Sequence, residues 1–303
     1  MKTIKIMKDY SPYIYGTTRL GDDQIPINER VNVAMAAMNA GVWFHTSRQY
    51  NNSLEVLSIA FDKNRNKVPK LIAKIGGDSI AALRNDIKNN LDPVGLNSLD
   101  VGQLCLIGDL EKDFAAGGKV LKELEKIRSS GLVKSYVLEV FPWTSKTSIK
   151  AIQGEYAKGI IDAFIFYLNP LQRFASNELW DLLIAQKQNM LALRTVAGGP
   201  VHWLRDVPGA AWKEYLQKRA VEIAPVYERS GIKSWTEFCV RFAHSIPNIL
   251  ATVGASGKIG HLQEFLTLKE NIQPLSQEIM DEILNLQRRW SDELDIHAEP
   301  WTM

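Results

Sequence analysis

Residues 41–57 read GVWFHTSRQYNNSLEVL. An apolar run, Val42-Trp43-Phe44, stops at His45. A polar patch with Arg48 and Tyr50 follows, and Ser53 opens a segment with helical spacing. This is the form of a strand that hands its last residues to a loop and then to a helix, and it recurs along almost the whole chain. Short apolar runs at 13–18, 42–45, 70–75, 103–107, 135–140, 163–167, 190–194 and 249–253 predict strands. Helical periodicity fills 28–40, 53–63, 79–90, 118–129, 148–158, 177–188 and 235–244. Several strands are apolar on both faces, as expected of a sheet covered on both sides. Parallel neighbours need a crossover, so the alternation implies a parallel sheet.

Eight such units in about 250 residues favour a closed (β/α)8 barrel over an open doubly wound sheet. The first strand leads into GTTRLGDD (16–23), which lacks the GxGxxG spacing of an open nucleotide-binding sheet. Residues 208–231 predict an additional helix between the seventh and eighth strands, and 276–290 another at the C-terminus. No composition break divides the 303 residues, so one domain is expected over 1–303. In such a barrel the functional rim lies at the carboxyl ends of the strands, which is where His45, Arg48 and Tyr50 fall.

The chain is 46% hydrophobic and 23% charged, with a formal net charge of +2. That balance is too near neutral to argue for nucleic acid or a membrane surface, and a small-molecule substrate is the expected partner. No stretch approaches the roughly 20 apolar residues of a membrane span, and the N-terminus lacks the apolar core of a signal peptide. Cys105 and Cys239 have no CxxC spacing and read as reduced core thiols of a cytoplasmic protein. The five histidines show no metal-ligand spacing with a carboxylate or cysteine. His244 ends a helix, where a cation suits the dipole, while His261 is expected on an outer helix and His297 in the tail. His202 and Trp203, on the loop after the seventh strand, are candidates for a lid. Phe141-Pro142-Trp143 is a candidate substrate wall.

The order of elements and several local motifs resemble the aldo-keto reductase family, from about Tyr15 to Trp290. The family's second strand ends in D-T-A-x-x-Y-G-x-S-E, and here 45–54 read HTSRQYNNSL, keeping Thr46, Tyr50 and Ser53. Its third strand ends T-K-x-G, and here Ala73-Lys74-Ile75-Gly76 keeps the lysine. Asn169-Pro170-Leu171-Gln172-Arg173, Ala197-Gly198-Gly199 and Val253-Gly254-Ala255-Ser256 also match. The resemblance implies a barrel that reduces carbonyls with NADPH, with Tyr50 as proton donor assisted by Lys74.

Much of the family's site is replaced. His45 stands for the tetrad aspartate and Gly108 for its histidine. The Ser-Asn pair falls on Glu139 and Val140, and the carboxamide-binding glutamine near Ile165. The stacking tyrosine falls near Leu193, with Arg194 beside it, and the asparagine at the adenine end falls on Phe265. Glu139 is a candidate carboxylate partner for Lys74, and Arg194 a candidate cofactor contact. Gly254, Ser256 and Lys258, opening a helix, with Gln263 and Glu264 behind, match the family's adenosine-phosphate end. NADP(H) is the expected cofactor, with no cofactor as the alternative. His45, Tyr50, Lys74 and Glu139 also form a set for an isomerase, lyase or dehydratase, because histidine and glutamate shuttle protons near neutral pH. A catalytically silent nucleotide-binding relative is the third possibility.

Overall fold

The computed structural model describes residues 9–197 and 213–296. Eight parallel strands form one ring: β1 (Tyr13–Gly16), β2 (Trp43–Thr46), β3 (Leu71–Gly77), β4 (Leu99–Leu106), β5 (Val133–Glu139), β6 (Ile161–Asn169), β8 (Met190–Leu193) and β9 (Ile249–Ala255). The ring closes through β1 on β9 and β5 on β6. A two-residue strand, β7 (Gln172–Arg173), turns back antiparallel on the end of β6. The closed (β/α)8 barrel expected from the alternation is the fold observed.

Each strand buries both faces, and the alternation of side chains sorts them. Tyr13 and Tyr15 face the helices, whereas Ile14 joins Trp43, Ile72, Val101, Val137, Ala163, Ile165, Leu191 and Val253 inside the ring. The outer shell comprises α1 (Ile27–Asn39), α2 (Ser53–Lys63), α3 (Ile80–Leu91), α5 (Lys119–Ser129), α6 (Ser145–Gln153), α7 (Asn177–Ala185), α9 (Trp235–Ser245) and α10 (Ile259–Leu268). Serines start three of these helices. Ser79, Ser176 and Ser234 accept from the backbone N–H groups of Ala82, Leu179 and Glu237, which satisfies a donor the helix itself leaves unpaired.

Differences from the sequence reading lie at element ends. β1 stops at Gly16, because Thr18–Gly21 forms a 3₁₀ turn. β3 runs on to Gly77 and β4 begins at Leu99. A helix not foreseen, α4 (Gly108–Ala115), follows β4 directly. Its first residue has φ +58°, a conformation glycine adopts without strain. The inserted helix is α8 (Lys213–Arg229) and the C-terminal one α11 (Gln277–Ile296). No helix among the described residues is long and apolar enough to cross a membrane.

Candidate functional site

The last pleats of β2 to β5 put polar side chains where apolar ones fill the ring below. His45 follows Trp43, Lys74 follows Ile72, Gln103 follows Val101 and Glu139 follows Val137, each two residues on and so on the same face. All four are buried. They are affordable there only because they partner one another.

Lys74 Nζ lies 2.8 Å from Glu139 Oε1, with side-chain exposures of 6% and 2%. The other carboxylate oxygen, Glu139 Oε2, accepts from the Cys105 thiol at 2.5 Å. Burial alone pushes Glu139 up and Lys74 down. The ion pair outweighs it on both sides, holding Glu139 below and Lys74 well above their usual ranges. His45 Nε2 sits 2.7 Å from Gln103 Oε1. Since that oxygen can only accept, Nε2 carries the proton. Burial, reinforced by the Lys74 cation, brings His45 down to about 4, so the ring is neutral at neutral pH. Gln103 Nε2 is buried and makes no complete hydrogen bond among the described residues.

Tyr50 is brought to this cluster by the loop after β2. Its N–H donates to Ser47 O at 3.1 Å and its carbonyl accepts from Ser53 N at 2.9 Å. Gly21 packs against the same carbonyl, where a Cβ would come within 2.2 Å of the oxygen. The matched residues Thr46 and Ser53 are pins beneath this loop, joined through the Thr17 hydroxyl at 2.7 and 3.3 Å. The Tyr50 ring centroid is 6.2 Å from that of His45. Burial pushes the Tyr50 phenol up to about 12, and the Lys74 charge opposes that rise.

Sequence reasoning missed three residues here. Gln103 was passed over inside an apolar strand, where its polarity at an inward position was the available signal. Cys105, read as a core thiol, is half-buried and faces Glu139. Tyr167, at the end of β6, senses Lys74, Arg194 and Glu139. On β4, the side chains reaching the cluster are thus Gln103 and Cys105, whereas Gly108 lies beyond the strand at the start of α4. Arg194 adopts φ +50°, unusual for a residue with a side chain. Asn169 Nδ2 donates to its carbonyl at 2.9 Å, and its guanidinium stands 5.4 Å from the Tyr167 ring centre. Tyr167 stacks on Phe174, and Phe141 stacks on Trp143 at 4.8 Å. Trp143 is 43% exposed, so an aromatic wall rises beside the cluster. His244, expected as a helix-end cation, is instead lowered by burial.

The adenosine-end candidates run from the end of β9 into α10, away from the tyrosine loop in sequence. Gly254 sits in the strand under the Phe265 ring, which a Cβ would meet at 2.6 Å. Ser256 is buried and closes a local turn, accepting from Lys258 N at 3.0 Å and donating to Lys258 O at 2.8 Å. Lys258 caps α10 with no side-chain cap on the helix, and space is open around Gly260. Gln263 is exposed on α10, while Glu264 accepts from Ser234 Oγ at 2.5 Å. His202, Trp203, Gly198, Gly199 and His297 lie outside the described residues.

The barrel has solved counterparts. An aldo-keto reductase from Klebsiella pneumoniae, in complex with NADP and acetate, matches with a TM-score of 0.67 at 17% identity, over 92% of each chain. The holo form of an aldo-keto reductase from Bacillus halodurans gives 0.66 at 17% identity, over 91% of this chain and 95% of that one. A thermostable aldo-keto reductase in complex with the inhibitor epalrestat gives 0.67 at 16% identity, over 91% and 94%. No family model and no curated protein matches the sequence. At such identity the likeness is one of fold: the chain is a barrel of the aldo-keto reductase type.

Proposed function

We propose that the protein reduces a small carbonyl compound with NADPH, using Tyr50 as proton donor and Lys74 as its electrostatic partner. The observation that carries this reading is the buried Lys74–Glu139 pair beside the Tyr50 loop. In the family pattern an aspartate at the end of β2 keeps the lysine charged. Here that position holds neutral His45, and the carboxylate comes from β5 instead. The lysine therefore keeps a counter-ion although the aspartate is gone.

The turn after β9 fits an anionic cofactor. The first N–H groups of α10 have no side-chain cap, Lys258 adds a cation, and Gly260 leaves room. Lys258 with that helix start would hold the adenosine phosphate, and Arg194 lies nearer the reacting end. NADPH, when bound there, would supply a hydride to the carbonyl carbon. The phenol of Tyr50 gives its proton to the carbonyl oxygen, and the phenolate left behind faces the Lys74 cation. Glu139 keeps that cation in place. The aromatic wall of Phe141, Trp143 and Tyr167 covers one side of the mouth. The NADP complex of the Klebsiella protein is a further support.

A proton-shuttling isomerase, lyase or dehydratase is less well supported. His45 at about 4 is neutral at neutral pH, and Glu139 is held ionised by Lys74. Neither titrates where such a shuttle works. NADPH titration by quenching of the eight tryptophans, followed by Tyr50→Phe, tests the proposal. Saturable quenching and a loss of about 10²–10⁴-fold in kcat are expected. No quenching at millimolar NADPH would end the redox reading. Binding without turnover on any carbonyl would make the protein a silent relative.

A further inference from the structure

The seam between β2 and β3 opens at an unusual place. Phe44 N donates to Lys70 O at 2.9 Å, in a parallel register that pairs Phe44 with Leu71 and Thr46 with Ala73. Continued two residues at a time, this ladder would carry Arg48 N to Lys74 O, and Gly76 N to Arg48 O. Neither contact forms. The Asn90 side chain stands between the first two groups. Its Oδ1 accepts from Arg48 N at 3.0 Å, and its Nδ2 donates to Lys74 O at 3.0 Å and to Asp86 O at 2.9 Å. Asp86, one turn earlier on α3, takes the other position. Its Oδ2 accepts from Gly76 N at 3.0 Å, and its Oδ1 pairs with the Arg48 side chain. Asn90 is fully buried and Asp86 nearly so.

We infer that Asn90, supported by Asp86, is a positioning residue: its amide is inserted as one extra peptide-like link between β2 and β3, and it sets how far the Tyr50 loop stands from Lys74. The inference rests on the reading of Tyr50 and Lys74 as the working pair. A side-chain amide reproduces the donor and acceptor of a peptide group, so it can splice into a ladder and hold its two strands further apart. Both backbones it joins are those that matter. Arg48 is two residues before Tyr50, and Lys74 is the lysine itself. The inserted group comes from a helix, so the opening is held by a rigid element and not by the loop.

Asn90→Ala removes the link. The seam should then close, with Arg48 N reaching Lys74 O and the Tyr50 side chain shifted away from its place beside the Lys74–Glu139 pair. Crystal structures of the parent and Asn90→Ala read this directly and need no substrate. Arg48, Tyr50 and Lys74 in the parent's positions would overturn the inference. In carbonyl reduction, kcat should fall at least tenfold with KM for NADPH little changed, and the effect should vanish in a Tyr50→Phe background. Ser79→Ala removes the N-cap of the same helix and serves as the control. An equal fall in kcat from Ser79→Ala, or a fall that persists undiminished beside Tyr50→Phe, would make Asn90 a merely structural residue. If Tyr50→Phe is as active as the parent, the reductase reading fails while the crystallographic comparison still decides this one. Should Asn90→Ala not fold, Asn90→Asp keeps the acceptor for Arg48 N, loses the donor to Lys74 O, and carries the same comparison.

Discussion

Two layers of the barrel interior are built from the same strands and obey different rules. The lower one contains Trp43, Ile72, Val101 and Val137; the upper one, a single pleat period further on, contains His45, Lys74, Gln103 and Glu139. The lower layer coheres through apolar area and close packing, neither of which depends on charge state. The upper layer coheres only because each polar group has a particular partner. Its members cannot be exchanged one at a time. A strand can thus serve the core and the site within two residues, provided its neighbours are in register.

The sharpest way to break this comparison is to remove one charge from the upper layer. Glu139→Gln leaves Lys74 buried opposite a neutral amide. A loss of about 3–5 kcal/mol in unfolding free energy is expected, measured by urea denaturation at pH 7. Adding Lys74→Met should recover most of it. Parent-like stability in Glu139→Gln would mean that the pair contributes little.

A second, smaller effect comes from His45. In the folded protein it takes a proton only near pH 4, whereas unfolded it does so near 6.5. The unfolded state therefore binds more protons between those values. Stability from this group is complete above 6.5 and falls as the pH drops through that window. Between pH 7.5 and 5 the parent should lose about 2 kcal/mol from this source, and His45→Gln should lack that part of the slope. Denaturation curves at the two pH values, parallel for both proteins, would show that His45 is not buried as a neutral ring.

The smallest effect belongs to the lower layer. Ile72→Val should cost about 0.5–1.5 kcal/mol, and the same at pH 5 as at 7.5. A pH-dependent cost there would blur the distinction between the layers.

Much of the barrel was readable because the signals are local. Strand residues 163–167 and 190–193 are apolar on both faces, and helices such as α3 and α9 open on a serine that caps them. Element ends were read less well. The turn at Thr18–Gly21 and the helix α4 depend on how loops pack over the ring. The site was readable in part. Tyr50 and Lys74 were legible through their match to the family's motifs and Glu139 through its departure from them, and the contact of Glu139 with Lys74 was foreseen as a candidate. Gln103 and Cys105 were not, because a glutamine and a cysteine in an apolar run look like core. Asn90 gave no signal at all: an asparagine at the end of a helix usually faces water.

By itself the sequence determined the alternation of elements, the closure into eight units, and which residue types reach the strand ends, since periodicity and side-chain chemistry are properties of neighbours along the chain. Only the tertiary structure decided that the carboxylate from β5 meets the lysine from β3, that burial keeps His45 neutral where it meets Gln103, and that Asn90 enters the β2–β3 seam. Those contacts join residues 16 to 65 positions apart, and their energies depend on burial that exists only once the ring has closed.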